Sequence, residues 1–125
     1  MKYQFVISQG NPALQLSAIK LIRSVKNRGH EILPIFFYQD GVVAAQLNKH
    51  IPSDELDLLN SWNDAVNELG IELRCCVTAA GKRGIICEEE AETQGLTPTM
   101  SELFSPTGLG DFAANSSTAD RVIRF

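Results

Sequence analysis

Apolar residues recur along this chain at two spacings. Tyr3, Phe5 and Ile7 alternate with Lys2, Gln4 and Val6, a period of two that predicts a strand over residues 2–7. Ser8-Gln9-Gly10-Asn11-Pro12 follows with turn chemistry. From Ala13 to Arg28 the period lengthens. Leu14, Ala18, Leu21, Ile22 and Val25 recur at three- and four-residue steps and predict a helix with those positions buried. Lys20, Arg23, Lys26 and Arg28 fall mostly off that face, and Gly29 stops the helix. Ile32 to Tyr38 is nearly continuously apolar, the pattern of a strand covered on both faces. Pro34 removes a ladder donor there, which places the strand near a sheet edge. Tyr38-Gln39-Asp40-Gly41 reads as a turn.

The second half repeats the alternation. Val42 to Pro52 is irregular. Ser53-Asp54-Glu55 reads as a helix start, a cap residue followed by acids in the first turn. Leu59, Trp62, Val66 and Leu69 follow at helical spacing, with Leu58 and Ala65 alongside, until Gly70. Ile71 to Cys76 is the third strand. Cys76-Val77-Thr78-Ala79-Ala80 reads as its exit into a short helix. Gly84 to Cys87 is a short apolar segment, and Glu88 to Gln94 an acidic helix ending at Gly95. Leu103-Phe104 reads as a short strand. A helix then runs from the Ser105–Gly108 turn to about Ser117, with Leu109, Phe112 and Ala113 buried. Asp120 to Phe125 closes the chain as a strand.

Strands separated by helices argue for one α/β layer fold with a mostly parallel sheet. Such sheets gather their active loops beyond the C-terminal ends of the strands. Ser8–Pro12, Tyr38–Gly41 and Cys76–Thr78 are then expected on one edge.

At 125 residues there is material for one domain, residues 1–125. The 44% hydrophobic and 21% charged content argues against disorder. A net charge of −4 without a Lys/Arg block disfavours direct nucleic-acid binding. No apolar run approaches the ~20 residues that span a bilayer, and Met1-Lys2 leads straight into a strand rather than a secretory core. The expected place is the cytoplasm, where thiols stay reduced.

Chemistry narrows to the cysteines. Cys75 and Cys76 are adjacent, Cys87 is eleven residues on, and His30 and His50 stand alone. No metal-ligand spacing exists, so no metal is expected. Neither GxGxxG nor GxxxxGK[ST] occurs, which leaves nucleotide or flavin binding with fold analogy alone and no expected cofactor. His50 reads as a surface or capping residue before it reads as a base, and Ser8 as a turn or cap residue before a ligand. A reactive thiol needs access and positive surroundings; unpaired N–H groups at a helix start supply part of that. Cys76, at the strand-to-helix junction with Lys82 and Arg83 six and seven residues on, meets these demands best. Position alone leaves it two readings, a functional thiol or a core one. Cys75 should point to the opposite side of the strand and read as a buried hydrophobe, as does Cys87.

Four stretches together resemble the DsrE-like sulfur-relay family: Phe36-Phe37-Tyr38-Gln39-Asp40-Gly41-Val42, Ser53 to Leu58 followed by Trp62, Cys76-Val77-Thr78-Ala79-Ala80 through Lys82-Arg83-Gly84, and the ending with Gly108-Leu109-Gly110 and Asp120-Arg121-Val122. Their order and spacing cover essentially the whole chain. The resemblance implies a small three-layer domain with flavodoxin-like topology. It implies sulfur transfer through a cysteine persulfide, with the family cysteine on Cys76. It also implies assembly with two related, smaller subunits into a hetero-oligomer. Sulfur would come from a small carrier protein and pass to an acceptor protein, feeding 2-thiolation of a tRNA wobble uridine. A cysteine directly before the carrier departs from the family pattern and allows Cys75 a resolving or protective role, although adjacent cysteines rarely form an unstrained disulfide. Two alternatives keep the fold: a subunit of cytoplasmic sulfur oxidation, and a non-catalytic assembly subunit.

Overall fold

A computed structural model describes all residues, Met1–Phe125. The strands are β1 (Lys2–Ile7), β2 (Glu31–Ile32), β3 (Ile35–Phe37), β4 (Leu73–Cys76), β5 (Phe104–Thr107) and β6 (Arg121–Arg124). The α-helices are α1 (Pro12–Asn27), α2 (Leu58–Leu69), α3 (Val77–Gly81), α4 (Glu88–Gln94) and α5 (Leu109–Ser116), with a 3-10 helix over Gln39–Ala45. Every strand pairing in the sheet is parallel. Tyr3 pairs with both Ile32 and Arg121, and Val6 with both Phe36 and Arg124. A strand has two sides only, so β2 and β3 run along one side of β1 and β6 along the other. The lateral order is therefore β6, β1, β2/β3, β4, β5.

Strand alternation assigns the two faces. Phe37 meets Trp62 of α2 edge-on at 4.9 Å, while its neighbour Phe36 stacks on Phe112 of α5 at 4.5 Å. The sheet thus lies between α1 and α2 on one face and α5 on the other, an α/β architecture in three layers.

Several expectations shift. The buried stripe of α1 is Gln15, Ala18, Ile19, Ile22 and Val25; Leu14 and Leu21 are exposed. The face turns because Gln15 is wanted inside. Its amide oxygen accepts from the Trp62 indole N–H at 2.8 Å, and its amide nitrogen donates to the Gln9 carbonyl at 2.8 Å. Pro34 does not mark an edge. The strand breaks at Leu33-Pro34 in the sheet interior, and Gln4 Nε2 donates to the Pro34 carbonyl at 2.7 Å. The second amphipathic helix starts at Leu58, capped by Asp57, whose carboxylate accepts from the Asn60 N–H at 3.2 Å. Ser53–Glu55 lies in the turns before it. Ser105-Pro106-Thr107 extends β5 instead of turning, because it lies on the sheet edge beside β4. Finally, α5 buries no residue fully, and Leu109 at its start is exposed.

Candidate functional site

The strand β4 delivers both adjacent cysteines to its C-terminal end. Cys75 pairs with Phe37 and Pro106, Cys76 with Thr107. One step along a strand reverses the side chain. Cys75 therefore shares the face of Leu73 and Phe37, and Cys76 that of Arg74 and Phe36. Cys75 has no exposed surface. Burial, then the neighbouring Cys76 and Cys87, pushes its thiol up to about 12, so it stays protonated at neutral pH.

Cys76 lines a pocket of about 290 Å³ with Tyr38, Gln39, Thr78, Ala79, Lys82, Arg83, Gly108 and Leu109. Three chain segments converge there: the exit of β3, the junction of β4 with α3, and the start of α5. Two of the three loops expected on this edge meet in the pocket. The third, Ser8–Pro12, braces it from outside. The Gly10 backbone lies against Asp40, and Arg124 donates to both Ser8 Oγ at 2.9 Å and Gln39 Oε1 at 2.7 Å. Ser8 is thus structural. Gln39 needs that bracing, because its φ of 48° is left-handed in a residue with a Cβ.

Positive charge reaches the pocket in an uneven way. Arg83 is spoken for: it donates to Asp40 Oδ1 at 2.9 Å and 3.1 Å and to the Ala79 carbonyl at 2.9 Å. Lys82 has no ion-pair partner. The expected support from the helix start is not made, since α3 is only five residues long and the Cys76 side chain takes no hydrogen bond from it. His50 is exposed and does not line the pocket. A larger depression of about 740 Å³ contains Cys87, Leu47, Met100 and Phe104. It is the poorer site for thiolate chemistry, because its only charged lining groups are Glu88 and Glu102, which oppose a thiolate.

One feature of the site was not apparent from the sequence. Arg74, on the Cys76 face two residues before the thiol, is ion-paired with Asp111 in the first turn of α5 and with Glu72 at 3.2 Å. Asp111 also accepts from Thr107 Oγ1 at 2.9 Å. Hydrogen bonds from Arg74 and then Thr107 hold the Asp111 carboxyl below the usual range. The signal was an arginine inside a strand otherwise buried on both faces.

The fold and family are independently recognisable. A model of the DsrE/DsrF-like family matches residues 1–125. The chain belongs to the DsrE/DsrF-like family. It is similar to sulfurtransferase TusD of Salmonella arizonae, 39% identical over 110 residues that cover 87% of this chain and 86% of that one. The sulfurtransferase TusD homolog of Vibrio parahaemolyticus is 40% identical over 87% of this chain and 84% of its own. Relatives so named, matched over most of both chains, support sulfurtransferase activity for this DsrE/DsrF-like chain. The solved ychN protein of E. coli has the same fold, with a TM-score of 0.70 at 17% identity over both whole chains. A protein of unknown function from Methanobacterium thermoautotrophicum follows at a TM-score of 0.60 and 14% identity, covering 99% and 98% of the two chains. No helix of the chain is long and apolar enough to cross a membrane.

Proposed function

We propose that this single-domain chain is a sulfur-relay sulfurtransferase subunit that carries sulfur as a persulfide on Cys76. One observation carries the reading: Cys76, at the C-terminal end of β4, lines a pocket where three chain segments converge, beside the unpaired ammonium of Lys82. In the transfer step the Cys76 sulfur attacks the outer sulfur of a donor persulfide. The donor S–S bond breaks, a new one forms on Cys76, and the Cys76 proton passes to the departing donor thiolate. An acceptor thiol repeats the exchange. No net oxidation occurs, so neither metal nor cofactor is required. The likeness to TusD extends the reading to cytoplasmic assembly with TusB-like and TusC-like subunits. It further implies sulfur delivery from a small carrier protein to an acceptor protein, ending in 2-thiolation of the tRNA wobble uridine without direct tRNA contact by this chain.

Intact-mass measurement after incubation with a persulfide donor tests this. The wild type should gain one sulfur atom and Cys76→Ser none, while Cys75→Ala retains the gain. An adduct that persists unchanged in Cys76→Ser would refute the assignment.

A further inference from the structure

Cys76 presents a problem of access. The residue is only 3% exposed, yet a carrier thiol must meet a sulfur held by another protein. The pocket wall formed by Gly108 and Leu109 is the cap and first residue of α5, a helix that buries no residue fully. That helix is fixed to the sheet at few points. Phe112 stacks on Phe36, and Asp111 binds Arg74 and Thr107. Those two partners flank the thiol: Arg74 is two residues before Cys76 on the same face, and Thr107 is paired with Cys76 across the ladder. Asp111 therefore pins the first turn of α5 directly beside the thiol, two and three residues from the Leu109 and Gly108 that wall its pocket.

The geometry points to Arg74, Asp111 and Thr107 as a latch that positions the α5 wall over Cys76 and sets how readily another molecule reaches the thiol. They are positioning residues; none lines the pocket. The inference rests on Cys76 as the working thiol, but the accessibility it describes can be measured without any sulfur transfer.

The test is the rate of iodoacetamide alkylation at fixed pH, with fragment masses separating Cys75 from Cys76. Local opening of a partly exposed ion pair should raise the Cys76 rate roughly three- to fivefold in Asp111→Asn and again in Arg74→Gln. The signs discriminate. A purely electrostatic influence on the sulfur predicts a faster reaction when the anion is removed and a slower one when the cation is removed; a latch predicts faster reaction in both. Thr107→Val, which changes no charge, should also raise the rate. Cys75, on the packed face, should stay unreactive throughout. Opposite signs, unchanged rates, or an equal rise at Cys75 would each overturn the latch. Loss of persulfide loading in the wild type with the alkylation pattern intact would leave the latch standing and remove the relay reading alone.

Discussion

Gly41→Ala should loosen the fold at the edge of the thiol pocket. The backbone of Gly41 has an ordinary φ, so the argument is steric. A Cβ there would stand 2.0 Å from the Ile7 carbonyl oxygen and 2.6 Å from its carbon. Carbon–oxygen contacts settle at about 3.3 Å, so the two backbones must part by roughly 1.3 Å. Neither group can turn aside, because both are main chain. The Ile7 carbonyl already accepts from the Tyr38 N–H at 2.9 Å, and the Gly41 N–H donates to the Tyr38 carbonyl at 2.9 Å. Separation strains both bonds. Overpacking of this kind costs about 1–3 kcal/mol, and a weakened backbone bond adds about 1 kcal/mol. The expected loss is ~2–4 kcal/mol, seen as a lower urea midpoint at unchanged slope and a fall in Tm on the order of 10 °C. Tyr38 and Gln39 line the pocket, so persulfide loading at Cys76 should slow in the same variant. A stability within about 0.5 kcal/mol of wild type would refute the reasoning, since it would mean that the strand end and the 3-10 helix can part freely.

Two further predictions concern the packed face. Trp62→Phe removes the indole donor and leaves Gln15 Oε1 buried without its partner, so urea unfolding should show a loss of ~2–4 kcal/mol; less than about 1 kcal/mol would mean that Gln15 finds another donor. Cys75 supplies an alkaline signature. Its folded value is raised from 9.0 to about 12, so the unfolded chain releases the proton first. Its contribution to stability is therefore complete below pH 9.0 and is lost as pH rises toward about 12. Melting temperatures of the wild type should fall across that window more steeply than those of Cys75→Ala, and parallel curves would contradict the burial argument.

The elements with a clean period were legible in the chain. The β1 strand falls on residues 2–7, and Gly70 and Gly95 end their helices in left-handed backbone, as glycines at these positions should. What escaped depended on partners far along the chain. Gln15 was absent from the predicted buried face of the first helix because nothing local reveals that Trp62, forty-seven residues away, needs its oxygen. Pro34 looked like an edge marker because the Gln4 side chain that meets its carbonyl belongs to another strand. The position of Cys76 could be read from the strand-to-helix junction. Its pocket could not, because Gly108 and Leu109 arrive there only through the pairing of β5 with β4. The Arg74–Asp111 link spans thirty-seven residues and was invisible for the same reason.

The tandem cysteines show how much of the chemistry is decided by register. Cys75 and Cys76 have the same side chain and adjacent positions, so residue identity cannot separate them. The pleat does. One side chain enters the face packed by Phe37, Phe104 and Trp62, where its thiol is held neutral; the other meets the pocket. A slip of β4 by one residue would exchange the two roles, since each step flips every side chain to the opposite face. Two neighbours oppose that slip. Leu73, 1% exposed, would be driven out of the packed face, and Arg74 would be driven into it as an unpaired cation. Asp111 therefore has a second consequence beyond holding α5. By pairing with Arg74 on the outer face it favours the register that turns Cys76, and not Cys75, toward the pocket.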